Sequence, residues 1–152
     1  MRVTEDFVDQ MNPVVRLCAE GMAAEGRPAE ARRLFEQAWA ARRDDYDAAV
    51  AAHFLARHQP TPAERLHWNT LAVRHAEEVA DGRAAELLAS LYLNLGDAHA
   101  NVGDAVAAAS AARQAAAYLA ALPPGGYREF VAFGICRLAA RVGVVSDGGP
   151  AA

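Results

Sequence analysis

The chain has 152 residues and a formal net charge of −4, with 15 basic residues, all of them Arg, against 19 acidic ones. This length predicts one domain with a sizeable core, and the weak negative charge argues against nucleic acid or an anionic membrane as the main partner. No apolar stretch approaches the roughly 18 residues of a membrane-spanning helix. Residues 1–6 are too acidic for a signal peptide, so the sequence predicts a cytoplasmic protein.

A helix start is the first local signal in the chain, after a lead-in of residues 1–11. Asn12-Pro13 is typical of such a start, because Asn caps free N–H groups and Pro is tolerated in the first turn. Gly26-Arg27-Pro28 ends this first helix and opens a second one. The sequence therefore predicts a helix pair between Asn12 and the acidic residues Asp44 and Asp45.

Two further helices are predicted in the middle of the chain. The first is capped by Asp44 and covers about residues 46–58. Thr61-Pro62-Ala63-Glu64 is a capping box that opens the next helix. Residues 80–88 are then an insertion, broken at Asp81-Gly82, whose later part lengthens the following helix toward its N-terminus.

The last part of the chain contains a third helix pair and a single final helix. The pair covers residues 89–122 and ends at Pro123-Pro124-Gly125-Gly126. The final helix covers residues 127–142, and we expect its apolar side to cover the pair while its charged side faces water. Residues 143–152 are predicted to be a flexible tail. The apolar residues of the final helix are Phe130, Phe133, Ile135, Cys136, Leu138 and Val142.

Similar residues recur along the chain at two fixed spacings. At a spacing of 34 residues, Pro28, Glu30 and Ala38 match Pro62, Glu64 and Ala72. At a spacing of 77 residues, Ala19, Gly26, Ala31, Phe35 and Ala38 match Gly96, Gly103, Ala108, Ala112 and Ala115. The longer spacing is twice the shorter one plus the length of the insertion at residues 80–88. Self-similarity of this kind indicates a repeat of helix pairs.

One stretch joins an aromatic residue, a Leu-Gly pair and a turn glycine to two small residues: Tyr92, Leu95-Gly96, Gly103, Ala108 and Ala115. It resembles a tetratricopeptide repeat, with His99 at the second aromatic place. The resemblance implies an all-α domain over residues 12–142, in which three helix pairs form a short right-handed superhelical array closed by a capping helix at about 127–142. Its repeats are about 12–45, 46–79 and 89–122.

The second repeat departs from this pattern at two small positions. His53 stands where the first helix needs a small residue, and Arg65 stands where the second helix needs Ala. Small residues let paired helices approach closely. We therefore expect either a splayed pair or a shifted register in this repeat.

No recognisable catalytic or metal-binding pattern accompanies the repeats. The five histidines include no pair spaced three or four residues apart, so no helix face offers the two ligands of a zinc-binding helix. The sequence contains no phosphate-binding loop and no nucleophile motif. We therefore expect no catalytic activity, no metal and no cofactor. Cys18 and Cys136 are predicted to be buried, reduced thiols.

The resemblance also implies a binding surface, since in this family the first helix of each pair lines a concave groove. The residues at the inward places combine both charge signs, an aromatic ring and amides: Arg16, Glu20, Phe54, Arg57, His58, Asn94, Asp97 and Asn101. Such a wall suits a peptide or protein segment, so the leading expectation is a protein–protein interaction module. The alternative is a small-ligand-binding or sensing protein with a pocket at His53, Trp68 and Asn69. The Ala-rich helix over residues 105–122 is also a candidate homodimer surface.

Overall fold

A computed structural model describes residues 12–143; the lead-in 1–11 and residues 144–152 of the predicted tail lie outside the described residues. Residues 12–143 form seven α-helices and no strand, which confirms the all-α prediction. The helices are α1 (Pro13–Ala23), α2 (Pro28–Ala40), α3 (Asp45–Ala56), α4 (Pro62–Glu77), α5 (Ala85–Asn101), α6 (Ala105–Tyr118, followed by a 3-10 turn at Leu119–Ala121) and α7 (Gly126–Val142). None of these seven combines the length and the apolar character needed to cross a lipid bilayer.

Side-chain caps set the helix starts where the sequence predicts them. Asn12 accepts a backbone N–H of α1 at 2.9 Å, and Asp44 accepts one of α3 at 2.8 Å. Thr61 accepts the Glu64 N–H at 3.2 Å, and its hydroxyl donates to the Glu64 carboxylate at 3.1 Å. These bonds satisfy donors that a helix N-terminus leaves unpaired.

The described residues divide into two compact units, residues 12–80 and 81–143. In the first unit α1 pairs with α2, α3 contacts both of them, and α4 pairs with α3. In the second unit α5 pairs with α6, and α7 contacts both. The division falls at the insertion predicted over residues 80–88, where Gly82 adopts a positive φ of 79°. The single domain over 12–142 remains a prediction.

A close contact between a glycine and an aromatic ring joins the first helix pair. Phe35 of α2 is completely buried, and a Cβ added at Gly21 of α1 would lie 2.4 Å from its ring. Ala19, which matches Gly96 at the spacing of 77 residues, is exposed, so the close approach in this pair occurs at Gly21 instead. Val14, Cys18 and Gly21 are the buried residues of α1. They follow the i, i+4, i+7 spacing of one helix face, and Ala19 lies outside that face.

The second helix pair, α3 with α4, is closely packed despite the two large residues predicted to disturb it. Ala72, Val73 and Ala76 are buried on α4. Arg65 is exposed, and its Nε donates to the backbone oxygen of Gln59 at 3.0 Å. His53 is half-buried. The buried residues of α3 are Asp47, Ala48, Ala49, Ala51, Ala52, Leu55 and Ala56.

The second unit packs α7 against a glycine of α5. A Cβ at Gly96 would lie 2.4 Å from Leu138 of α7. On α6, which contacts both α5 and α7, the buried residues are Ala108, Ala111, Ala112 and Ala115. Part of the Ala-rich surface considered for a homodimer is therefore used inside this unit.

The expected orientation of α7 is partly wrong. Its buried residues are Val131, Ile135 and Leu138, which share one face at the i, i+4, i+7 spacing. Phe130 and Phe133 lie outside this face and are 72% and 65% exposed. Cys136 is also exposed rather than buried, because its position falls on the solvent side of α7; both cysteines are free, as predicted.

Candidate binding site at the end of α3

The two units divide the predicted groove residues between them. Arg16 and Glu20 lie on α1 and are exposed. Asn94, Asp97 and Asn101 lie on α5, in the second unit. The structure brings together the remaining three, Phe54, Arg57 and His58, at the C-terminal end of α3.

The buried Phe35 ring organises this end of α3. Phe54 stacks on it with a centroid distance of 5.1 Å and an interplanar angle of 10°. His58 packs on it at 5.2 Å with a tilt of 35°. Phe54 is half-buried, so part of its ring forms an apolar surface beside the polar residues. His53 contacts the same Phe54 ring edge-on at 4.9 Å.

Arg57 is held by a residue that the sequence analysis did not single out. Its Nη2 donates to Oε2 of Glu25 at 2.7 Å, and its guanidinium carbon lies 5.9 Å from the Phe54 ring centroid. The Arg57 side chain is still 48% exposed. A guanidinium has five N–H donors, so Arg57 retains donors toward solvent. Glu25 lies after the end of α1 and occupies no position of the repeat pattern. The periodicity of the sequence therefore did not indicate it.

Two buried side-chain atoms of these residues, Oε1 of Glu25 and Nε2 of His58, have no hydrogen-bond partner among residues 12–143. A buried polar atom without a partner costs about 1–3 kcal/mol. The carboxylate oxygen requires a donor, whereas the imidazole nitrogen can accept or donate, depending on its tautomer.

The groove residues of α5 make contacts within their own unit. The Oδ1 of Asn101 accepts from Nη2 of Arg141 on α7 at 3.0 Å. Burial raises the pKa of Asp97, while Arg141 and Arg137 act to lower it. Asn94 is half-buried. Side chains of α7 therefore already engage part of this wall.

The residues of the alternative pocket belong to two aromatic groups. Trp68 packs edge-on against Trp39 at 5.0 Å, and Arg42 lies 4.0 Å above the Trp39 ring. His53 belongs to the Phe54 group, and burial, with a smaller effect of Arg57, lowers the pKa of His53 to about 4. Asn69 is half-buried on α4.

Comparisons with known proteins leave the site to be interpreted from its own chemistry. No protein-family model, no curated protein and no solved structure matches this chain. Within the described part of the chain, no group of three or more His, Cys, Asp or Glu side chains is placed to hold a metal ion.

Proposed function

We propose that the chain is a non-catalytic, cytoplasmic interaction module that binds a peptide or protein segment at the end of α3, and that its helix pairs are tetratricopeptide-like. One observation carries the proposal. The Arg57 guanidinium is 48% exposed, is oriented by Glu25 at 2.7 Å, and lies beside the half-buried Phe54 ring. An oriented guanidinium next to an apolar ring suits a ligand that offers an oxygen acceptor and an apolar group.

A peptide segment supplies both groups. One of its carbonyl or carboxylate oxygens would accept from Arg57. An apolar side chain of the peptide would then cover the exposed part of the Phe54 ring. Recognition through main-chain groups combined with one side-chain contact is typical of extended peptide segments.

The test begins with a displayed library of random peptides, selected on the full chain. The selected peptides are synthesised, and their Kd values are measured by isothermal titration calorimetry. Arg57→Ala should weaken binding about 5- to 150-fold, which corresponds to the roughly 1–3 kcal/mol of a lost charge-assisted hydrogen bond. Glu25→Gln should weaken binding less, because an amide oxygen can still accept from Arg57 and keep its guanidinium oriented.

Arg32→Ala is the matched control for Arg57→Ala. Arg32 is also a partly exposed arginine in an ion pair, with Glu36 at 3.1 Å, and it lies on α2. Its removal should leave Kd unchanged. If Arg57→Ala binds undiminished while a folded Trp68→Ala protein loses binding, the site at the end of α3 is refuted. The pocket at His53, Trp68 and Asn69 would then be the better interpretation.

A further inference from the structure

Three aromatic side chains of α7 form an exposed face at successive i, i+3 positions. Tyr127, Phe130 and Phe133 are 57%, 72% and 65% exposed. Large aromatic residues of this exposure are unusual unless they contact a partner. We call these three residues the α7 aromatic face.

Packing along the edge of this face fixes the rotation of α7 about its axis. Leu138 lies against Gly96 of α5, and a Cβ at Gly134 would lie 2.8 Å from Leu93 of α5. Rotating α7 to bury Phe130 and Phe133 would break both close approaches. The exposure therefore follows from the interior of the unit.

The first unit contains a helix in the same arrangement. Both α3 and α7 follow a helix pair and contact each of its members. Seven residues of α3 are buried but only three of α7. The difference arises because α3 is also paired with α4, whereas within residues 12–143 no helix follows α7. By analogy, the natural occupant of the α7 aromatic face is a helix.

The size of the face fits one helix better than a second copy of the chain. Aromatic side chains bury about 150–250 Å² each, so three of them at this exposure offer roughly 300–500 Å². A specific dimer needs about 800 Å² per partner. The face reaches the size of a functional patch on a monomer, about 300–600 Å², and falls short of a stable homodimer interface.

The positive charge of α7 further indicates the kind of partner that it binds. Among its residues, α7 carries Arg128, Arg137 and Arg141 against the single acid Glu129, in a chain with a net charge of −4. The Arg137 guanidinium lies 5.9 Å from the Phe133 ring, directly beside the face. Asp97 of α5 offsets part of this charge through its interaction with Arg137 and Arg141. The helix itself remains basic.

We propose that the α7 aromatic face binds an acidic amphipathic helix of a partner protein. The apolar side of that helix would cover the three aromatic rings, as α4 covers α3. Its carboxylates would interact with Arg137 and with the free donors of Arg141. The proposed site shares no residue with the one at the end of α3.

The probe is a fluorescein-labelled helical peptide with Leu at i, i+3, i+4 and i+7 positions and Glu at most others, measured by fluorescence anisotropy with the full chain. A Phe130→Ala/Phe133→Ala protein should bind it at least about tenfold more weakly, because central aromatic residues dominate such interfaces. Arg137→Gln should also weaken binding and reduce its dependence on salt. Val106→Ala, at an 81% exposed apolar residue of α6, should leave it unchanged.

Several results would overturn the proposal. These are undetectable binding of the acidic probe, equal binding of a version with Lys in place of Glu, and binding that survives the double substitution. Sedimentation equilibrium tests whether a second copy of the chain occupies the face instead. A dimer that dissociates in the Phe130→Ala/Phe133→Ala protein would assign the face to a second copy of the chain, whereas a monomer in both proteins agrees with the proposal.

Discussion

Asn12 and Asp47 join the starts of two helices that are 35 residues apart in sequence. The Nδ2 of Asn12 donates to Oδ1 of Asp47 at 2.8 Å, while its Oδ1 caps α1. Asp47 is only 1% exposed, and its Oδ2 also accepts from the backbone N–H and from the Nε of Arg43 at 3.1 and 3.2 Å. One buried carboxylate therefore connects the beginning of α1, the loop after α2 and the first turn of α3.

Asp47→Ala should lower the free energy of unfolding by about 1–3 kcal/mol, because it removes a buried carboxylate that accepts hydrogen bonds from Asn12 and from the backbone and side chain of Arg43. The measurement is the urea midpoint followed by circular dichroism. Glu36→Gln is the control, since Glu36 makes an exposed ion pair that contributes about 0–1 kcal/mol. Equal midpoints for the Asp47→Ala and wild-type proteins would show that the carboxylate is dispensable.

Gly21→Ala should destabilise the first helix pair. The added methyl would lie 2.4 Å from the buried Phe35 ring, and that ring is held by the stack with Phe54. Overpacking costs about 1–3 kcal/mol, which exceeds the roughly 1 kcal/mol that Ala gains over Gly in a helix. Gly26→Ala is the matched control, since a Cβ there meets nothing within 4 Å. A Gly21→Ala protein as stable as wild type would contradict the packing.

The stability of the chain should depend on the titration of His53. Burial lowers the pKa of His53 from 6.5 to about 4, so the unfolded chain binds one more proton between these values. The contribution of His53 to the free energy of unfolding is therefore fully present above pH 6.5. As the pH falls toward 4, the free energy of unfolding decreases by on the order of 2–3 kcal/mol. Denaturant midpoints between pH 4.5 and 7.5 measure this slope. His53→Gln should flatten it, and His67→Gln, at an exposed histidine, should not. Equal slopes in all three proteins would argue against a lowered pKa of His53.

The two thiols should react at very different rates. Burial, with a smaller effect of Asp47, raises the pKa of Cys18 to about 12, so only about one molecule in 10⁴ carries the thiolate at pH 8. Cys136 is exposed. A maleimide reagent should label Cys136 first and reach Cys18 only after denaturation, as read by intact mass. Rapid labelling of both cysteines in the native protein would disagree with the buried position of Cys18.

Local signals in the sequence were sufficient to predict the helices and several of their caps. Asn12 and Thr61 cap helices because a side-chain oxygen followed by Pro specifies a helix start within a few residues. The bonds involved are short in sequence, so no knowledge of tertiary structure was needed. The same holds for Asp44 at the start of α3.

Features that depend on the tertiary arrangement were missed. On α7, apolar residues lie on more than one side of the helix, and Phe130 and Phe133 belong to the exposed side. The sequence pattern alone does not show which side is covered. Which side is covered follows from the contact of Leu138 with Gly96, 42 residues away in the chain. Glu25 escaped notice for the same reason, because its partner Arg57 lies 32 residues further on.

The contact between Gly21 and the Phe35 ring also determines when α1 can form. This helix has 11 residues, fewer than the roughly 12–15 below which an isolated helix is marginal in water, and its interior glycine weakens it by about 1 kcal/mol relative to Ala. The missing Cβ that permits close docking thus disfavours the helix before docking. We expect α1 to become helical only as α2 packs onto it, so that its amide protons exchange with solvent whenever the pair opens.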